Sequence, residues 1–371
     1  MRKTKWEKIA ARVQASIDRG DLKPGDRVPS ERELVEKWNV ARMTVHKAMH
    51  DLQSRGLIVR TRGQGSVVSG GQSMKPSGHI ALVFKYGNSA AEGQYLEAIQ
   101  QALSGDRRLL MCLTGEKPQA EARHLEQMAQ DACAIILNAT CDPENTALIQ
   151  RIADSGKPIV CIENAPDDLC ADKVVSDNRG DTVSAMRFLF DQGHRRVAHL
   201  NELRLNMPVV RERYEGYLDA MASISQEDPR PLARLFVSPP NWDYLRQTVY
   251  DAMCAMLRLP EPPTAVFCLS AAYILALLDV CSELGISVPG EMEIVGYCER
   301  PPWAIGSAAY KVTRIVQPMH DMGTAAAARI LSRLAGDTGP CEVTRLNSSL
   351  LPADPSFRTA LSDILVSGAL I

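Results

Sequence analysis

Arg42, Met43, Thr44, His46 and Lys47 crowd one short stretch and bring guanidinium, hydroxyl, imidazole and ammonium groups together. Such groups bond phosphate oxygens and the edges of bases. Arg42 can read guanine or grip a phosphate, and the Thr44 hydroxyl can bond a phosphate oxygen. Upstream, Arg32 can hold the nucleic-acid backbone. Downstream, Arg62, Gly63 and Gln64 can reach an adjacent groove. Double-stranded DNA is the partner these residue types point to first.

The surrounding sequence supplies elements to position them. Ile9, Val13 and Ile17 are four apart and mark one apolar helix face, with Gly20 after it. Ser30 and Glu33 form a Ser-x-x-Glu capping box that starts a second helix. Asn39 marks the turn. A third helix runs roughly from Arg42 to Arg55, with Gly56 as its C′ residue. Val45, Ala48, Met49 and Leu52 give it an apolar face at i, i+3, i+4 and i+7, which turns Met43, Lys47 and His50 outward with His46 beside them. Leu57-Ile58-Val59-Arg60 and Ser66-Val67-Val68 flank a turn at residues 61–65 and predict a β-hairpin, or wing.

Charge separates this segment from the rest. Through Lys75 there are 16 basic and 8 acidic residues; the totals of 42 and 44 leave 26 basic and 36 acidic residues beyond it. A basic head on an acidic body suits a polyanion partner for the head alone. The 371 residues, 45% apolar and 23% charged, predict two or three globular domains. No apolar run approaches the roughly 20 residues of a membrane span, and the basic start leads into an amphipathic stretch, so the expected location is the cytoplasm without membrane contact. The ten cysteines include no Cys-x-x-Cys pair, and Cys112, Cys133, Cys161 and Cys268 sit in apolar runs. Buried reduced thiols are expected, with no metal site. No Gly-x-Ser-x-Gly, His-Glu-x-x-His or Walker loop occurs, so neither catalysis nor a cofactor is expected.

Residues 70–78, Gly-Gly-Gln-Ser-Met-Lys-Pro-Ser-Gly, have the composition of a flexible linker between a domain at 1–69 and a second at 79–371. Beyond it, apolar strands alternate with helix-length segments: Ile80–Phe84, Leu109–Leu113, Ala134–Leu137, Pro158–Ile162, Val197–Leu200, Ala265–Leu269 and Glu293–Gly296. That alternation predicts an α/β fold with parallel sheets, and so many units predict two lobes. Glu163 and Asn164 follow a strand end, where α/β folds line their clefts. Asp177 either shapes a lobe crossing or caps the next helix. His194 and His199 are expected to be structural, and Asp167-Asp168 solvated surface.

Residues 5 to 69 resemble the winged-helix domain of the GntR family of bacterial transcription regulators. The carriers are Gly20-Asp21-Leu22-Lys23-Pro24-Gly25, Val28-Pro29-Ser30-Glu31-Arg32-Glu33-Leu34, Val40-Ala41-Arg42-Met43-Thr44-Val45 and Arg62-Gly63-Gln64-Gly65-Ser66-Val67-Val68. The resemblance implies that Arg32, Arg42, Thr44, His46 and Gly63 lie at the DNA. Ala41 stands where the family usually has a small hydroxyl residue, which forgoes a helix cap of about 1 kcal/mol. His46 stands where it usually has arginine, so the operator sequence is expected to differ.

Residues 79 to 358 resemble the LacI-type sensor domain, through Val174-Val175-Ser176-Asp177-Asn178-Arg179-Gly180, Gly193-His194-Arg195-Arg196-Val197-Ala198, Arg213-Tyr214-Glu215-Gly216-Tyr217, Pro263-Thr264-Ala265-Val266-Phe267, Ile294-Val295-Gly296-Tyr297 and Val312-Thr313-Arg314-Ile315-Val316-Gln317-Pro318. The resemblance implies a periplasmic-binding-protein fold: two lobes, a hinge crossed three times and an effector cleft. A GntR-type head on such a body is the arrangement of the arabinose-repressor group. Arg213 matches an arginine that grips sugar hydroxyls, and can equally be a structural residue paired with a carboxylate. Ser270-Ala271 replaces an Asn-Asp pair, and Gly296-Tyr297-Cys298-Glu299 replaces a Gly-Phe-Asp-Asp turn. With Ala271 and Glu299 at those places, a sugar site loses carboxylates. The effector is then a carbohydrate, a less polar molecule, an anion or none.

The expected whole is a homodimeric DNA-binding regulator, a repressor, switched by a small molecule held near Arg213, Asp177, Glu163, Ala271 and Glu299. Its alternative is a regulator of the same fold governed by dimerisation or protein partners.

Overall fold

The computed structural model describes residues 5–23, 25–54, 57–61, 65–68, 77–86, 90–103, 107–224, 228–298 and 311–353. The chain divides into two compact units, 1–78 and 79–371.

In the first unit, α1 (Lys5–Asp18), α2 (Glu31–Trp38) and α3 (Arg42–Ser54) precede a hairpin of β1 (Ile58–Thr61) and β2 (Gly65–Val68). The capping box forms: the Ser30 N–H donates to the Glu33 carboxylate at 2.6 Å, and the Ser30 hydroxyl accepts from the Glu33 N–H at 3.3 Å. Those two Ser30 bonds hold the Glu33 carboxyl below the usual range. Asn39 closes α2 in the left-handed region, φ 47°, a conformation that asparagine tolerates. Ile9, Val13, Val28, Leu34, Val45, Ala48, Leu52, Ile58 and Val68 are buried as one cluster. The spacing of apolar residues in α1 and α3 thus fixes which faces turn inward.

The second unit holds two sheets. One has the order β13-β7-β6-β5-β3-β4, with β3 (Ser77–Phe84), β4 (Leu109–Leu113), β5 (Ala132–Leu137), β6 (Ile159–Ile162), β7 (Asp172–Ser176) and β13 (Val343–Leu346). The other has the order β14-β12-β11-β10-β8-β9, with β8 (Val197–Glu202), β9 (Ala233–Phe236), β10 (Ala265–Cys268), β11 (Glu293–Tyr297), β12 (Thr313–Val316) and β14 (Ser349–Leu351). Among the described residues the strand pairings of these sheets are parallel except the edge pair β12–β14. Helices α4 (Ala90–Ala102), α5 (Pro118–Asp131), α6 (Pro143–Asp154) and α11 (Met319–Leu334) go with the first sheet. Helices α7 (Asn178–Asp191), α8 (Pro208–Ala222), α9 (Trp242–Leu257) and α10 (Ala271–Leu284) go with the second. Continuous apolar strands such as Ala-Cys-Ala-Ile-Ile-Leu in β5 suit sheets covered on both faces. The chain passes between lobes from β7 to α7, from β12 to α11 and from β13 to β14.

Ser77 and Gly78, expected in the linker, already begin β3. β7, β9, β12, β13 and β14 were not expected as strands from periodicity; β9, β13 and β14 are edge strands of mixed exposure, and β7 and β12 interleave polar residues with apolar ones. Gly216 is where α7 and α8 approach closely: a Cβ there would meet the Arg179 carbonyl at 2.7 Å.

His199 on β8 is fully buried, its ring centroid 4.9 Å from those of Tyr217 and Phe267, and its Nδ1 lies 3.0 Å from the Phe267 carbonyl. Burial pushes its pKa down to about 4. The unfolded chain protonates this ring near pH 6.5 and the folded chain only near 4. Stability is therefore full above pH 6.5 and is lost as pH falls through the interval, by on the order of 3 kcal/mol. Urea denaturation of wild type and His199→Gln at pH 7 and pH 4.5 checks this: the variant should lose less stability between the two. Equal losses would assign the acid response to other groups.

Candidate DNA interface and effector cleft

α3 presents Arg42, Met43, His46, Lys47 and His50 to solvent while Val45, Ala48, Met49 and Leu52 are buried. Met43 is 74% exposed, the largest value among the exposed large hydrophobic residues. An apolar side chain at the first turn of such a helix is suited to a thymine methyl group. Thr44 is half-buried, and its N–H donates to the Ala41 carbonyl at 2.9 Å. Two of the expected contacts are pre-positioned by neighbours. The His46 Nδ1 lies 3.1 Å from the Glu31 carboxylate, and the Lys47 ammonium sits 4.9 Å above the Trp6 ring. Trp6, Met43, Thr44, His46, Lys47 and His50 line one shallow groove. Arg32 is exposed, with its Nε 3.5 Å from Glu36, a pairing too open to water to hold it from a phosphate. Arg62, Gly63 and Gln64 lie outside the described residues; the hairpin register closes at Thr61 opposite Gly65.

In the second unit, the carboxyl ends of strands from both sheets gather polar groups, as α/β folds require of a cleft. From the first lobe come Lys85 after β3, Thr114 and Glu116 after β4, Asn138 after β5, and Glu163 and Asn164 after β6. From the second come Glu202 ending β8 and Arg204 after it. Arg204 crosses between lobes: its Nε donates to Glu202 at 2.8 Å and its Nη1 to Glu116 at 3.1 Å. Lys85 is 6% exposed. Burial lowers its pKa, and the nearby charges of Glu163 and Glu116 oppose that. Asn138 Nδ2 donates to Glu163 at 3.1 Å, and Asn164 Nδ2 to Asn138 Oδ1 at 3.2 Å. Glu163 adopts φ 64°, a strained value for a non-glycine residue that recurs at functional sites. Thr114 Oγ1 and Asn164 Oδ1 are buried without a hydrogen-bond partner among the described residues, which costs stability unless a ligand or water fills the need.

Arg213 lies against the hinge. It is 4% exposed. Its Nε donates to Asn178 Oδ1 at 2.9 Å, Nη1 to the Leu269 carbonyl at 2.7 Å and Nη2 to Gln317 Oε1 at 3.0 Å. Its guanidinium carbon stands 3.3 Å from the Tyr297 ring centroid. Gln317 in turn donates to Ser176 Oγ at 2.7 Å. Asn178 and Gln317 belong to two of the three crossings, so Arg213 ties them together through neutral oxygens rather than a carboxylate. Asp177 caps α7, accepting from the Gly180 N–H at 3.2 Å. Ala271 opens α10 and is 9% exposed. Glu299 lies outside the described residues. Asp167, expected as solvated surface, is exposed but bridges the lobes to Arg211 at 2.8 Å.

Of the cleft groups, sequence reasoning found Glu163 and Asn164 and missed Lys85, Glu116, Asn138 and Arg204. The signal for Lys85 was present: it is the first charge after the apolar run Ile80–Phe84.

Residues 5–68 match the family model of bacterial regulatory proteins of the gntR family, and residues 186–352 that of a periplasmic binding protein-like domain. The chain joins a GntR-type DNA-binding head to a periplasmic-binding-protein-like body. Two such domains make a transcriptional regulator, not an enzyme. This regulator is 27% identical over 245 residues to the HTH-type transcriptional regulator KdgR of Bacillus subtilis, covering 66% of this chain and 69% of that one. It is 23% identical over 343 residues to the arabinose metabolism transcriptional repressor of Geobacillus stearothermophilus, covering 89% and 91%. Among solved structures, a transcriptional regulator CelR–cellobiose complex superposes with a TM-score of 0.63 at 20% identity, covering 85% of this chain and 91% of that one.

Proposed function

We propose that this regulator is a cytoplasmic repressor that binds its operator as a homodimer through Arg32, Arg42, Met43, Thr44, His46, Lys47 and the hairpin tip 62–64, and is released by a small polar molecule in the cleft. The observation that carries the reading is the outward basic face of α3 on a domain whose core is complete without it. Homodimerisation is supported by apolar residues exposed on or beside one edge strand of each sheet: Met111 and Leu113 on β4, and Val237, Trp242 and Tyr244 after β9. A ligand acts only by favouring one arrangement of the lobes over another. Lys85 and Arg204 offer donors and Glu163 and Glu116 acceptors, which suits a hydroxyl-rich molecule such as the cellobiose in the CelR complex. Arg213, Asp177, Ala271 and Glu299 are proposed to shape the cleft from the hinge and the second lobe.

Selection of bound duplexes from a random pool, followed by gel-shift titration, tests the head. Arg42→Ala should weaken operator binding by about 1–3 kcal/mol; unchanged affinity would show that α3 is not the reader. Calorimetry against sugars, nucleosides and small acids tests the cleft.

A second reading rests on the charge pairs Arg204–Glu116 and Arg211–Asp167, which bridge the lobes with the protein's own groups. On that reading the lobes stay closed without an effector, and dimerisation or a protein partner sets activity. A clear calorimetric hit that Lys85→Met abolishes overturns it.

A further inference from the structure

Two cysteines stand apart from the other eight. Cys112, Cys133 and Cys254 are half-buried, and Cys141, Cys161, Cys268, Cys281 and Cys298 are buried. Burial pushes the thiols of Cys141 and Cys161 up to about 11 and about 12, which leaves them inert. Cys170 and Cys341 are exposed, and their sulfurs lie 3.4 Å apart although the residues are 171 positions apart in sequence.

The loops that carry them are held together by the protein. Asp172, two residues past Cys170, is 4% exposed and accepts from Arg333 Nε at 2.7 Å, from Arg333 Nη2 at 3.0 Å and from the Glu342 N–H at 2.9 Å. Arg333 also donates to the Gly339 carbonyl at 2.6 Å and the Pro340 carbonyl at 2.9 Å. On the other side, the Cys170 N–H donates to Gln150 Oε1 at 2.9 Å. Lys173 and Glu342 are joined by a backbone bond of 2.8 Å at the head of the β7–β13 pairing. The two thiols therefore face each other because their backbones are fastened, not because two free loops drifted together. A disulfide needs a separation of about 2.05 Å, and side-chain rotation at two exposed positions supplies the remaining approach.

We propose that Cys170 and Cys341 are a modification site: a dithiol that a hydroperoxide converts to a reversible disulfide clamping edge strand β13 to β7. Cys170 acts as attacking thiolate. Its sulfur bonds to one peroxide oxygen, the O–O bond breaks, and the departing oxygen leaves as water or an alcohol. The Cys341 thiolate then attacks that sulfur, the S–S bond forms, the S–O bond breaks, and its oxygen leaves as water. Two thiols are oxidised and one peroxide is reduced. Burial and the adjoining Cys170 hold the Cys341 thiol above its usual value, which makes it the poorer first attacker on the peroxide. Neither operator binding nor the effector cleft is required for this reading.

Treatment of the reduced full chain with hydrogen peroxide, then alkylation and peptide mapping, tests it. The expected result is loss of two of the ten titratable thiols, a peptide linking Cys170 to Cys341, and full recovery with dithiothreitol. Cys341→Ser should instead accumulate a sulfenic acid at Cys170 that dimedone traps, and Cys170→Ser should lose no thiol under the same treatment. Alkylation of both residues after oxidation, a link to any other cysteine, or a link only between two chains would overturn it.

Discussion

Replacing Arg213 with alanine should lower folding stability by about 3–5 kcal/mol, measured by urea denaturation. The guanidinium is buried, and truncation strands the Asn178 Oδ1, Leu269 carbonyl and Gln317 Oε1 acceptors together. Each orphaned buried acceptor costs about 1–3 kcal/mol. The stacking of the cation on Tyr297 is lost as well. The variant recovers the cost of burying a charge, which keeps the net below the sum of those terms. Arg213→Lys should recover little, because one ammonium cannot serve oxygens on three separate segments in the plane of a fork. An arginine whose work is only to grip a ligand would behave otherwise: its loss would leave stability within about 1 kcal/mol and abolish ligand heats. That outcome would return Arg213 to the cleft. The two variants also probe the hinge, since Asn178 and Gln317 lie on crossings between the lobes.

Why this role was illegible in the sequence follows from where the partners lie. Asn178, Leu269 and Gln317 are 35, 56 and 104 positions from Arg213, so only the tertiary fold brings them to one guanidinium. Charge crossings such as Arg204 to Glu116 have the same character. The head was legible because its signals are local. Ser30 and Glu33, three positions apart, cap α2, and Val45, Ala48 and Leu52 mark a face within one helix. Buried strands such as β5 and β10 were legible because both their faces need apolar residues. β13, Val-Thr-Arg-Leu, packs only Leu346 against the core and leaves its other three residues exposed, so it gave no such signal. Lys85 was overlooked because a lone lysine after a strand usually marks solvent, and the groups around it, Glu116, Cys141 and Glu163, are remote in sequence.

Operator affinity should fall by roughly 10³–10⁵ between 50 and 200 mM salt if the bound protein neutralises about six to ten phosphates. The expected slope of log affinity against log salt is about −0.9 for each phosphate neutralised. Fluorescence anisotropy with a labelled operator duplex measures it directly. The basic balance lies up to Lys75, whereas the remainder carries 36 acidic against 26 basic residues. Added cations must therefore act at the head, because the body has no net attraction for DNA to screen. Residue variants separate gripping from reading. Arg32→Ala removes a guanidinium that pairs weakly with Glu36 in the open, so it should weaken binding to all sequences alike and flatten the slope by about 1 for each head bound. Arg42→Ala should narrow the gap between operator and random DNA if the guanidinium reads a base, with little change in slope. If it grips a phosphate instead, it will behave as Arg32→Ala does. A slope near zero for the wild-type protein would contradict the assignment of the head's charge to phosphate, whatever the affinity. A steep slope that neither variant changes would leave the charge argument standing and move the contact to other residues of the head.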